Sequence, residues 1–297
     1  MTPEYMELTA QAATSHWAWT IAFFLWFVGL SGMALFLNIW LKSRRVFVIA
    51  GIAAIAGTLL VLSHLGRLLN LPFAAFHALA NWSFNFTSWM FIGICLLAVL
   101  CIAVVVEGLM IWLGSKAGGS RVLADIAEGV MVRWCNGILG VAATAYSGFL
   151  LTQAAGVPLW NTAVLPVLWI FSGLGCAVGL AELLAAGGKL ETGDPGWLGG
   201  TAWGVHLGEA FVIFAFIQSA WTGTPGAAAG AESLLMGGTS LIFWAGAIGL
   251  GIVMPILCTF LKEHRSMVML GGLCSIIGAL ALRASVLFAG YFDPVIW

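Results

Sequence analysis

Eight stretches of the chain are apolar over the length that crosses a bilayer, at roughly 17–41, 46–64, 87–113, 133–155, 164–186, 202–221, 234–261 and 267–290. A helical span needs about 20 mostly apolar residues. Hydrocarbon offers no water to an open backbone, so only helices or closed barrels cross it. None of the eight shows the roughly ten-residue alternation of a barrel strand. The expected fold class is therefore an all-α integral membrane protein, a bundle of eight transmembrane helices forming one polytopic domain over residues 1–297. Composition excludes the alternative: with 62% hydrophobic and 8% charged residues, the chain could not solvate the surface of a soluble domain. The N-terminal MTPEYMELTAQAATSH carries two Glu and no Lys or Arg, unlike a secretory signal peptide, so the first span is expected to be retained.

Basic residues orient the bundle. Lys42, Arg44 and Arg45 follow the first span, Lys116, Arg121 and Arg133 lie between the third and fourth, Lys189 follows the fifth, and Lys262 and Arg265 follow the seventh. Nine of the eleven basic residues thus fall at one end. The positive-inside rule makes that end cytoplasmic and places both termini outside. GVPLWNTA (156–163) is then a short outer turn. Pro158 lacks a donor and helps stop a helix, and Trp160 suits the headgroup belt, where its ring is apolar and its N–H polar.

Other polar residues gather toward the same outer end. His64 and Arg67 close the second span, His77 and Asn81 follow it, and His16 precedes the first. At about 1.5 Å per residue, Tyr146 lies about 15 Å inside the fourth span and Arg283 about 10 Å inside the last. Gln153 stands two turns above Tyr146 on nearly the same face. Any of these residues alone is explained by snorkelling or by a structural hydrogen bond. For Arg283 a cavity or network comes first, because an intramembrane Arg faces the bundle interior and finds a partner there. The inner half holds Glu107, Glu182, His206 and Glu209, the last two sharing a helix face. They suit a proton relay, or equally pairs that hold helices together.

Several chemistries find no support. The six cysteines include no C-x-x-C and do not supply the clustered thiolates of an iron–sulfur centre. A di-iron carboxylate site wants two Glu-x-x-His motifs, whereas His206 and Glu209 make one reversed pair. Bis-histidine haem needs facing histidines at one depth; His16 and His64 lie at the margin and His206 has no evident counterpart. No phosphate loop, nucleophile elbow or nucleic-acid patch is present.

Four segments carry a family resemblance: AYSGFLL (145–151), PLWNTAVLPVLWIFSGL (158–174), FWAGAIGLGIVMPILCTFL (243–261) and GALALRASVLFAG (278–290). In order and spacing they resemble the NrfD/polysulfide-reductase membrane-anchor family, and WAWTIAFFLWFVGLSG (17–32) is similar to its first helix. LSHLGR (62–67) resembles the related dimethyl-sulfoxide-reductase anchor. The resemblance implies a haem-free, quinol-oxidising subunit in a bacterial or archaeal cytoplasmic membrane. Such a subunit binds quinone or quinol, with menaquinol the expected form, and no haem or iron–sulfur cluster of its own. Its partners are an extracytoplasmic iron–sulfur subunit and a molybdopterin catalytic subunit, with membrane lipid around it and no nucleic acid. Tyr146 falls on the family's Y-x-G tyrosine, a donor to a quinone oxygen. His64 falls on the H-L-G histidine, a proton acceptor. Arg283 matches the arginine of the last helix, where it orients a polar network; Asn161 and Trp160 line the mouth of the site or meet the partner, and Gln153 and Arg67 complete the set. Ile21 and Phe24 stand where polysulfide-reductase anchors carry polar residues, and NFTSWMF (85–91) lacks the sulfoxide-reductase anchor's carboxylate. Two other functions fit the residues: a structural anchor without an active quinone site, and a proton-translocating or transport module.

Overall fold

The computed structural model describes residues 14–15, 17–64, 70–116, 121–191, 193, 195–261 and 263–293, the side chains of 71, 72, 74 and 75 excepted. His16, Arg67 and Lys262 lie outside the described residues. Among the described residues, eight helical spans are long and apolar enough to cross a membrane. They are α1 (Trp19–Leu41), α2 (Arg44–Ser63), α4 (Trp89–Ser115), α6 (Val130–Thr152), α7 (Val164–Ala186), α8 (Leu198–Trp221), the composite span Ile242–Phe260, and α11 (Arg265–Phe288). Three shorter helices connect them: α3 (Asn70–Ala80), α5 (Arg121–Ala127) and α9 (Pro225–Leu235).

The seventh span departs from the sequence expectation of one helix over 234–261. Residues up to Leu235 belong to α9, which Pro225 opens at a position where a missing N–H costs nothing. Gly237 and Gly238 break the chain, and the turn is closed by Trp244 Nε1, which donates to Leu235 O at 2.9 Å. The span then runs as a π-helix over Ile242–Val253 and tightens into α10 (Met254–Phe260) at Pro255. A proline there cannot donate to the preceding turn, and its ring crowds the carbonyl four residues back, so the two windings meet at that point.

The α1–α2 connection shows how few residues a turn between spans needs. Lys42 takes the left-handed conformation (φ 50°) and donates to Asn38 O. Asn38 Oδ1 in turn accepts from Ser43 N at 2.8 Å, and the Ser43 hydroxyl caps α2 by accepting from Val46 N. Arg44 pairs with Glu128, and Arg45 donates to Lys189 O at 2.8 Å. The connections at the basic end are thereby tied to one another. Exposed pairs of this kind contribute only about 0–1 kcal/mol each, so they fix register more than they add stability.

Packing centres on α1 and α7, the most buried spans. α1 is surrounded by α2, α6, α7 and α11; α7 by α1, α6, α8 and α11. Close approach rests on small residues, as expected where lipid supplies no hydrophobic drive between helices. Gly32 of α1 and Gly140 of α6 face each other so tightly that a Cβ on either would overlap the other's carbonyl. At the end away from the basic residues, the segment before α1 meets the segment after α11: Ser15 N donates to Gly290 O at 2.9 Å, and Thr14 bridges to Tyr291.

Candidate functional site: a polar interior in three parts

The first part is a cradle for Arg283. The side chain is 1% exposed, and its guanidinium donates from Nε to Leu25 O (3.2 Å), from Nη1 to Ser172 Oγ (2.7 Å) and Ala279 O (3.0 Å), and from Nη2 to Trp169 O (3.2 Å). The Trp169 ring lies 5.2 Å from the guanidinium carbon, within cation–π range. Among the described residues no carboxylate stands within ion-pair distance of it. The charge is held instead by carbonyl dipoles of α1, α7 and α11, whose second lone pairs are free to accept. Gly29 makes the space: a Cβ there would collide with the guanidinium. The sequence foresees a partner for Arg283, and the partners are backbone oxygens and one hydroxyl.

The second part lies at the same end of the bundle, between α1, α2, α4 and α6, which pack as neighbours. Tyr146 is 4% exposed, and its ring lies against Gly93 of α4, where a Cβ would overlap it. One turn further out Trp89 and Phe149 stack face to face, centroids 4.5 Å apart. Among the described residues the Tyr146 hydroxyl has no hydrogen-bond partner. Because α6 ends at Thr152, Tyr146 lies about 9 Å from the helix end, shallower than a span ending at 155 implies. His64 caps the end of α2, exposed, with Nε2 at 3.4 Å from the Thr20 hydroxyl of α1. Helix α1 thus touches both parts, through Thr20 on one side and Leu25 on the other.

The third part is in the half nearer the basic end. Asn136 of α6 donates to the buried carboxyl group of Glu107 on α4. His206 and Glu209, one turn apart on α8, approach to 3.6 Å and pack against Gly175 of α7. His206 is 0% exposed, and neither ring nitrogen has a hydrogen-bond partner. Glu182 sits two turns along α7 from Gly175 on the same face. It lines a cleft of about 900 Å³ that Trp203, Pro255, Thr259, Glu263 and Arg265 also line.

The remaining predicted residues are dispersed. Trp160 is not in a headgroup belt: it is 0% exposed, donates from Nε1 to Val286 O at 2.9 Å and meets Trp17 edge-on at 5.1 Å. The belt rule speaks of depth only, and here the ring turns inward, so it forms no mouth. Asn161 is exposed and lines a separate pocket of about 330 Å³ with Thr162, Ser219, Thr224 and Asp293. Gln153 caps α6, exposed, beside Thr152. Arg67 falls outside the described residues. Sequence reasoning missed Ser172, Trp169, Asn136, Gly29 and Gly93. The L-P-V-L-x-x-x-S-G-L motif contains Trp169 and Ser172, so a signal for those two was present.

A multi-pass helical membrane protein with a polar interior is the class that fold and site define. Within that class the chain belongs to the NrfD family: the family model described as Polysulphide reductase, NrfD matches residues 7–294. The chain is 31% identical to one of the polypeptides of polysulfide reductase from Wolinella succinogenes, over 94% of this chain and 96% of the relative. It is 29% identical to the protein NrfD of Escherichia coli, over 92% and 94%. It is 25% identical to a selenate reductase subunit of Mesobacillus selenatarsenatis, over 98% and 78%. The resemblance carried by the four motifs is thereby shown.

Proposed function

We propose that this chain is the quinol-oxidising membrane anchor of a respiratory oxidoreductase, with both termini and the quinol site on the outer face of a bacterial or archaeal inner membrane. The orientation is supported by the nine basic residues at the opposite end. Relatives named as constituent polypeptides of a polysulfide reductase and a selenate reductase support a role beside other subunits. By chemistry these are an iron–sulfur protein that takes the electrons and a molybdopterin catalytic subunit that uses them.

The observation that carries the quinol reading is the Tyr146 hydroxyl, largely buried in an apolar wall and unpartnered among the described residues. A ring-shaped lipid-soluble substrate wants such a wall, with a donor for one oxygen. Oxidation of a quinol releases two protons and two electrons. His64, exposed at the end of α2, takes a proton toward the aqueous side, and the electrons pass to the iron–sulfur subunit. Arg283 acts at one remove, by fixing α1 against α7 and α11.

A second reading has its own observation. His206 has two unpartnered nitrogens in the membrane interior, beside Glu209 and against Gly175, which is two turns along α7 from Glu182 on an open cleft. With Glu107, these groups are suited to passing protons from the basic end.

The test is titration of a fluorescent quinol-site inhibitor against the protein in lipid, beside Tyr146→Phe and His64→Ala of equal stability. Saturable binding weakened by both substitutions is the expected result. Binding unchanged by either keeps the function and removes these residues from it. No binding to the folded protein, with its iron–sulfur partner present, leaves the structural anchor or proton movement.

A further inference from the structure

Helix α3 and the segment after it present an exposed apolar surface. Phe73, Phe76 and Leu79 of α3 are 75%, 73% and 64% exposed, and Trp82 and Phe86 are 83% and 70% exposed. Among the described residues no other helix packs extensively on α3. An aromatic chain runs from Trp82 through Phe84 and Phe86 to Phe91, each ring within 6 Å of the next, and so joins this surface to the exposed side of α4 at Met90 and Ile94.

We propose that this surface is a lipid-binding one: α3 lies flat in the membrane interface at the end away from the basic connections, its aromatic face in the acyl boundary. Four observations choose lipid over a protein partner. At 11 residues, α3 is too short to span and has the length of an interfacial segment. From Asn70 to Val106 the chain contains no Asp, Glu, Lys or Arg, so nothing there selects a charged partner surface. Several polar side chains in the segment are bonded locally: Asn81 donates to His77 O at 2.9 Å, Asn85 Oδ1 accepts from Thr87 Oγ1 at 2.6 Å, and Ser88 Oγ accepts from Phe91 N. Those groups are thus not open to a protein partner. Finally, the surface continues without a break into the apolar side of a span. Trp82 among Asn, Ser and Thr residues matches the mixed character of a headgroup layer.

The test places a benzophenone photocrosslinker at Phe76, and separately at Phe73, in the full-length chain in the membranes of the producing cell, where any partner subunit is assembled. Phe211, 71% exposed in the middle of α8, is the reference for a lipid-facing site. The expected result is phospholipid adducts at both α3 positions in yield comparable to Phe211. Crosslinks to a second polypeptide at both positions would make the face a protein-docking surface and overturn the proposal. Loss of adducts at α3 while they persist at Phe211 would place the helix in water and overturn it equally. Neither outcome depends on whether quinol binds.

Discussion

Arg283 and His206 are buried to almost the same degree, at 1% and 0% exposed, and their surroundings treat them oppositely. The guanidinium finds four oxygens on three helices. The imidazole finds none, only a carboxylate at 3.6 Å. A buried polar group without a partner costs on the order of 1–3 kcal/mol and in a working protein asks for a water, an ion or a role. At Arg283 four of the five guanidinium N–H groups are bonded, which makes a rigid joint between α1, α7 and α11. Incompleteness at His206 leaves a place where a proton or a water gains by arriving. The cradle has one loose end of its own, since Trp169 Nε1 is buried without a partner.

The comparison breaks most sharply at Arg283. Arg283→Ala removes four hydrogen bonds and opens a cavity among three helices, and an expected loss of about 3–5 kcal/mol follows from large-to-small changes in packed interiors. Thermal unfolding in lipid or detergent reads it. Arg283→Met should recover most of that loss, because an apolar chain of similar length fills the space without burying a charge. If Met is as damaging as Ala, the charge itself holds the helices.

A smaller effect is expected from Gly29→Ala, whose methyl group meets the guanidinium. Overpacking of this kind costs about 1–3 kcal/mol, and combining it with Arg283→Met should abolish most of its penalty. Independent, additive losses would show that Gly29 matters for α1 packing and not for the arginine.

The smallest shift belongs to His206→Leu. Made together with Glu209→Leu, so that no buried carboxylate is left facing an apolar side chain, the replacement is neutral or mildly stabilising, and unfolding should change by less than about 1 kcal/mol. A loss of about 2 kcal/mol or more would mean that internal water satisfies the ring, which turns the two sites into variants of one design.

The eight spans were legible in the sequence because hydropathy over about 20 residues is a strong signal. Most boundaries fall within a few residues of those expected. What escaped notice was shorter or subtler. Helix α3 is too brief for a window of that length, and Met236–Gly237–Gly238 is apolar enough to hide the break before the seventh span. The inward location of Arg283 followed from its charge, but carbonyl partners carry no sequence label. Gly29 and Gly93 were invisible among 38 glycines, because only a folded neighbour distinguishes one glycine from another. Trp160 shows the converse: its depth was readable and the direction of its ring was not.

The Arg283 cradle also bears on how such a chain is made. A charged residue in a helix entering the bilayer is opposed, by about 2.5–3.5 kcal/mol at the helix centre on insertion scales and by less toward an end, where Arg283 lies. Three of the four oxygens that receive it belong to α1 and α7, which precede α11 in the chain and emerge from the ribosome first. The earlier helices thus present a finished receptor to the last one, and membrane integration and tertiary docking become one step for α11. Synthesis order and assembly order coincide there, and a defect in α1 will show itself as a failure to insert a distant segment, with 258 residues separating Leu25 from Arg283.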